Sequence, residues 1–359
     1  MDAIWLPTLL LLVGSLLIAF GLCYGMKGNN LPSPKEVVDL YKSKNITRMR
    51  LYGPNQAILE ALKDSNIELM MDVPISDLQN LANSNITEID WILVNVMNYL
   101  LDFMLSLLAT WLITFVLPAM QYIYNAILAF GLQDQIKVST VINTQLLGTS
   151  YTPSQGAFRA DVRSFIHPIL LFLVQKESYL QIDTSLDYAW FTFQSSQPVV
   201  VQDGDLGYQN LFDSMVDSLY SAVEMVVEIV VSETGWPSAG GIGATTENAK
   251  IYNSNLIQHV KGGTPKRPGK AIETYVFSMF DENQKNNIEI DKEEVEEGVD
   301  FYCFTERRSS ISFGVTTMAT EPNLSSWTDM LLTFMKFLEQ TAPSALFPAR
   351  RRVVSTEED

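Results

Sequence analysis

Short apolar runs along the chain alternate with longer stretches whose apolar positions recur at helical spacing. The first kind reads as buried strand and the second as amphipathic helix. Leu22–Tyr24 predict a first strand. Ser33, Pro34 and Glu36 then predict a helix start: a capping hydroxyl, a proline in the first turn, and a carboxylate that reaches back. Thr47–Leu51 give a second strand, followed by a helix through Ile58, Leu59 and Leu62. Ile67–Val73 form a third strand ending at Pro74, and Ile75–Leu81 open the next helix. Further on, Ile136–Val141 predict a strand and Tyr151–Gly156 a polar loop. Phe158–Gln175 predict a helix with Phe165, Ile169, Leu170 and Phe172 on its apolar side. A helix over Tyr208–Val227, a strand over Ile229–Val231 and a helix over Glu247–Val260 follow. The basic segment Gly262–Lys270 reads as a loop, and Tyr275–Phe280 as the last clear strand. Alternation of this kind implies parallel βαβ units. Pattern alone leaves a closed barrel and an open sheet as alternatives.

Two stretches depart from the pattern. Residues 3–26 carry no charge and Leu9–Phe20 are almost wholly apolar, which reads as a secretory signal peptide over 1–20. An uncleaved anchor is the alternative, since the run is long enough to span a bilayer and Asp2 stands where a basic start is usual. Sequons at Asn45, Asn85 and Asn323 agree with export. Phe103–Met120 are likewise uncharged and read on hydropathy as a spanning helix. A very apolar buried helix, or residues from a wrong exon or a decayed gene, are the other readings.

Composition narrows the partners. With 359 residues the chain can bury a barrel-sized core. A formal net charge of −17 excludes nucleic acid, whose phosphates such a surface repels, and leaves neutral polysaccharide open. Cys23 and Cys303 make no disulfide framework, and Cys23 reads as a buried core residue. With only His167 and His259, no metal site is expected.

The candidate chemistry centres on Glu233. Ile229–Val231 end in Ser232-Glu233, and Gly235 and Pro237 stop the strand at once. A carboxylate at the C-terminal end of a parallel strand stands where catalytic groups gather, although a structural hydrogen bond is the plainer alternative. The string VVSETGWPSAGG resembles the nucleophile motif of glycoside hydrolase family 17, the plant glucan endo-1,3-β-glucosidases. GLCYGMKGNNLPS from Gly21, MRLYGPNQAILEAL from Met49, LGYQNLFDSMVDSLYSAVE from Leu206 and GGTPKRPGKAIETYVFSMFDENQK from Gly262 carry the same resemblance.

The resemblance implies an α/β fold, a (β/α)8 TIM barrel over residues 21–285, and retaining hydrolysis of internal 1,3-β-glucosidic bonds. It implies Glu233 as nucleophile, Glu282 and Lys285 as supporting groups, and Tyr24, Arg50, Tyr52 and Trp236 as sugar contacts. No cofactor is implied; the partner would be β-1,3-glucan, the chain a monomer, and its place the cell wall outside the cell. Membrane association through 3–26 or 103–120 is the alternative. Two departures bear on this. The family's strand ending Gly-Asn-Glu, whose Glu is the usual proton donor, is replaced by the apolar stretch 91–117, and no Glu lies between Glu88 and Glu177. Asp102 is the one acid between Asp90 and Asp134 and sits inside an apolar run; Glu282 is the other conceivable donor. A sugar-lining strand is short or missing before Ser185–Ala189. The barrel is therefore expected to be incomplete or distorted around 90–120, 176–186 and after 286. An acidic tail, 286–359, would hold one amphipathic helix over Ser326–Gln340. The reading is of an enzyme by family, impaired in turnover.

Overall fold

The computed structural model describes residues 20–284, except 84, 100–102, 110, 111, 184–198, 225, 226, 237, 239–244, 281 and 283. Residues 1–19 of the expected signal peptide, Asp102, Ser185–Ala189, Lys285 and the tail over 286–359 lie outside the described residues, and Phe20, also expected in that segment, is the first residue of a barrel strand.

Eight parallel strands close into a barrel in chain order: β1 (Phe20–Cys23), β2 (Arg48–Leu51), β3 (Glu68–Val73), β4 (Phe103–Ala109), β5 (Ile136–Asn143), β6 (Leu180–Asp183), β7 (Ile229–Thr234) and β8 (Thr274–Val276). Around it run α1 (Pro34–Ser43), α2 (Gln56–Leu62), α3 (Ile75–Leu81), α4 (Asn85–Ile92), α5 (Ile113–Ala129), α6 (Arg163–Gln175), α7 (Leu211–Val223) and α8 (Thr246–His259). The helix starts follow local chemistry. Ser33 and Glu36 exchange hydrogen bonds at the head of α1 with Pro34 in its first turn. The Asn55 side chain accepts from the Ala57 and Ile58 amides at 3.1 and 3.2 Å at the head of α2. Each such cap stabilises its helix by about 1 kcal/mol.

Each strand has two differently populated faces. Met49 and Leu51 point outward into the large core shared with the helices, while Arg48 and Arg50 alternate with them. Cys23, Met70, Val230 and Tyr275, with Met104, Tyr179 and Phe277 against them, form a separate small cluster drawn from several strands, the filling of the barrel itself.

The barrel closes without a gap, which corrects the expectation of an incomplete one. Phe103–Met120 are not one spanning helix: they supply β4 and the first turns of α5. β4 pairs with β3 from Leu69↔Phe103 to Val73↔Leu107, and with β5 from Phe103↔Ile136 to Ala109↔Ile142. A strand covered on both faces has no reason to alternate, so its apolar run merges with that of the next helix. Among the described residues no helix is long and apolar enough to cross a membrane. The strand expected to be short or missing is present and short: β6, four residues long, is built from Leu180–Asp183 directly after Tyr179.

Other boundaries moved for a shared reason. α6 starts at Arg163 rather than Phe158 because Ala157–Phe158 pair antiparallel with Leu147–Thr149. Phe165 is consequently 38% exposed, and Ile166 and Leu173 take the core positions beside Ile169, Leu170 and Phe172. α7 starts at Leu211 because Leu206–Tyr208 pair with Val201–Asp203. The Gly262–Lys270 loop holds a hairpin of Gly263–Thr264 with Arg267–Pro268, tied to α7 where the Lys266 amide donates to Asp217 at 2.9 Å.

Candidate active site

β7 does not keep a regular alternation. From Val231 to Glu233 it advances two residues while β6 advances one, Ile182 to Asp183. Against β8 it advances three, Val231 to Thr234, for the two from Thr274 to Val276. One residue is extra on β7, which is a bulge, and a bulge resets which face the following side chains take. Counting by twos from Val230, which fills the barrel, would send Glu233 outward with Val231. The bulge instead lets the Glu233 carboxylate reach over the barrel mouth to β2.

There it meets two groups on one oxygen. The Tyr52 hydroxyl donates to Glu233 Oε2 at 2.5 Å, and Arg50 Nη1 stands 3.6 Å from the same atom. The Arg50 guanidinium also lies over the Tyr52 ring, 4.6 Å from its centroid, and Phe277 meets that ring edge to face at 5.8 Å. Arg50 is 1% exposed, so its charge needs partners. Its second carboxylate is Asp72, at 2.9 Å from Nη2. Burial pushes the Asp72 carboxyl above its ordinary value; Arg50 and the Ser106 hydroxyl pull it down, and the charge of Glu233 adds to the rise. Asp72 thus anchors the guanidinium from below while Glu233 takes its outer edge.

The structure brings together three of the sequence-derived site residues, Arg50, Tyr52 and Glu233. Tyr52 is 36% exposed at the mouth. Tyr24 is buried, its ring edge to face with Phe280 at 5.9 Å and its amide donating to the Arg50 carbonyl. Trp236 is buried against Tyr252 at 5.6 Å, and the Tyr252 hydroxyl shares a 2.9 Å hydrogen bond with Thr234. Glu282 is buried after β8, where its Oε1 accepts from the Lys27 amide at 2.9 Å. Its side chain lies on Gly25, where an added Cβ would come within 2.5 Å of Oε1. Lys285 is outside the described residues.

Asp72 and Ser106 escaped the sequence reading. The signal was parity: Glu68, Met70 and Asp72 share one face of β3, and Met70 fills the barrel. Ser106 stands in register with Asp72 on β4 and is fully buried. Beyond it β4 continues through Leu107, Leu108 and Ala109, so no carboxylate stands at its mouth end. Among the described residues no group of three or more His, Cys, Asp or Glu side chains is placed to hold a metal ion.

Known proteins repeat this architecture. The family model described as Glycosyl hydrolases family 17 matches residues 20–295. A glucan endo-1,3-beta-glucosidase, basic isoform, of Phaseolus vulgaris is 49% identical over 294 residues, covering 74% of this chain and 84% of that protein. A glucan endo-1,3-beta-glucosidase of Vitis vinifera is 48% identical over 302 residues, covering 76% and 87%. A solved structure of a plant beta-glucan endohydrolase superposes with a TM-score of 0.70 at 40% identity, covering 74% of this chain and 92% of that one.

Proposed function

The chain belongs to glycosyl hydrolases family 17, and from that membership we propose that it cleaves internal 1,3-β-glucosidic bonds of a β-glucan through a glycosyl-enzyme on Glu233. The observation that carries this reading is the Glu233 carboxylate at the barrel mouth, one oxygen held by Tyr52 and Arg50. In the first step a Glu233 oxygen attacks the anomeric carbon. Tyr52 and Arg50 fix the carboxylate's orientation and keep it from swinging away. Retaining hydrolysis pairs such a nucleophile with a second carboxyl about 5–5.5 Å away that protonates the leaving oxygen. β4 and the turn into α5 offer none, since no acidic residue lies between Asp102 and Asp134. General acid catalysis is worth about 10²–10⁴-fold, so turnover of a polysaccharide is expected to be slow by about that factor.

The same observation favours a second reading, a glucan-binding relative without turnover. Release of reducing ends from laminarin, a β-1,3-glucan, separates the two. Slow release that disappears in Glu233→Gln supports hydrolysis. No release above that variant, with both proteins retained on a laminarin column, sinks hydrolysis and leaves binding. Export through residues 1–20 agrees with a wall glucan as substrate, and a monomer suffices for a single cleft. A protein that stays with alkali-washed membranes would argue for the anchor instead.

A further inference from the structure

In the closed strand order β3 lies opposite β7, with β4 and then β5 beside it, and β4 and β5 are poor in ionisable groups. Residues 103–133, covering β4, the turn and α5, contain no Asp, Glu, His, Lys or Arg. Residues 138–158, covering most of β5 and the hairpin after it, contain none either. On β3 the Asp72 carboxylate, 13% exposed, is committed to Arg50 at 2.9 Å. Glu282 is fastened to the Lys27 amide on the loop after β1. β4 ends in Leu107, Leu108 and Ala109, in register with Val73 of β3 and with Val141 and Ile142 of β5, so the backbone of this part of the wall carries no ionisable residue to its C-terminal end.

We propose that this site is a glycosyl-transfer centre with a nucleophile but, among the described residues, no general acid: it prefers β-glucosyl donors whose leaving group departs unprotonated, and it passes the sugar to small anions faster than to water. The donor class is aryl β-glucosides of acidic phenols. The inference rests on Glu233 being the nucleophile of the proposed hydrolysis. In the first step a Glu233 oxygen bonds to the anomeric carbon while the carbon–oxygen bond to the phenol breaks. That oxygen leaves with the electron pair as a phenolate and needs no proton. A sugar leaving group is far more basic and would have to depart as an alkoxide, which is why the missing acid penalises it most. In the second step water needs a base to take its proton. Azide does not: it attacks the anomeric carbon with its own lone pair, the bond to Glu233 breaks, and the carboxylate is restored. The product is a β-glycosyl azide, and no proton has moved.

The test uses the full chain with laminaribiosides of phenols of differing acidity, with and without azide. A 2,4-dinitrophenyl donor is expected to exceed a 4-methoxyphenyl donor in kcat/KM by at least about 10²-fold. Azide is expected to raise kcat on the dinitrophenyl donor and to yield β-laminaribiosyl azide. A flat dependence on the phenol, with no azide product, overturns the inference by showing that an acid acts at the site. Incubation with a 2-fluoro dinitrophenyl laminaribioside and mass analysis of the peptide bearing Glu233 locate the failure. Labelled Glu233 with a flat dependence defeats only this inference. Absence of the label defeats the nucleophile reading and the inference with it.

Discussion

A single oxygen of Glu233 carries most of what the site can do. Tyr52 donates to it at 2.5 Å, and a hydrogen bond from a neutral hydroxyl to a carboxylate is among the stronger kinds. Tyr52→Phe removes that bond and keeps the ring between Arg50 and Phe277. Such bonds are worth about 1.5–3 kcal/mol, so kcat/KM for release of dinitrophenolate is expected to fall about 10–100-fold and the melting temperature to drop by several degrees. A rate within twofold of the wild type would show that Arg50 alone holds the carboxylate. Glu233, Arg50 and Tyr52 were all legible as residues, the first from its motif and the others from the family resemblance. Asp72 was not, because a lone Asp before Val-Pro looks like a turn residue until the barrel puts it under Arg50.

At the scale of elements, the bulge in β7 and the tight exit after it decide where Glu233 points. Gly235 follows at once, and a Cβ there would come within 2.4 Å of the Phe277 carbonyl oxygen after β8. Gly235→Ala must push the ends of β7 and β8 apart. Forcing a methyl into a packed contact costs about 1–3 kcal/mol, or roughly 2–4 °C per kcal/mol for a larger domain. The variant is therefore expected to melt several degrees lower and to label Glu233 more slowly. An unchanged melting temperature would mean that the two strand ends can part freely. β4 teaches the opposite lesson about reading elements. Its seven residues and those of α5 form one uncharged run, and hydropathy alone cannot mark where strand stops and helix starts. Hydrogen-bonded register with β3 and β5 makes that division.

At the scale of the molecule, the barrel interior carries charged clusters near both ends with an apolar layer between them. At the C-terminal end is Arg50 with Asp72 and Glu233; at the other, Arg48 pairs with Glu273 and, at 2.9 Å, with Glu68. Several buried carboxyls titrate late. Burial pushes Asp217 above its ordinary 3.8, against hydrogen bonds from Thr264, the Lys266 amide and Tyr208, with nearby Asp213 adding to the rise. The unfolded chain gives up this proton near 3.8 while the folded chain keeps it to higher pH. Over that interval the folded state binds more protons, so the contribution of Asp217 to stability falls as pH rises through it. In Asp217→Asn that fall is absent. The melting temperature of the wild type minus that of the variant is thus expected to be larger at about pH 3.5 than at about pH 7. A difference that grows with pH would reverse the assigned direction.

The sequence by itself determined the alternation of strand and helix, the capped start of α1, the family, and the residue at the end of β7 proposed as the nucleophile. These are local facts: spacing, caps and a motif contained within a few residues. Only the tertiary structure decided that the barrel closes, with β4 and β6 filling the places that looked vacant, because strand pairing joins segments far apart in the chain. It alone decided that Glu233 points into the mouth, since one extra residue in β7 reverses a parity that counting along the sequence gets wrong. It also set β4 in register between β3 and β5, which the order of residues along the chain does not give.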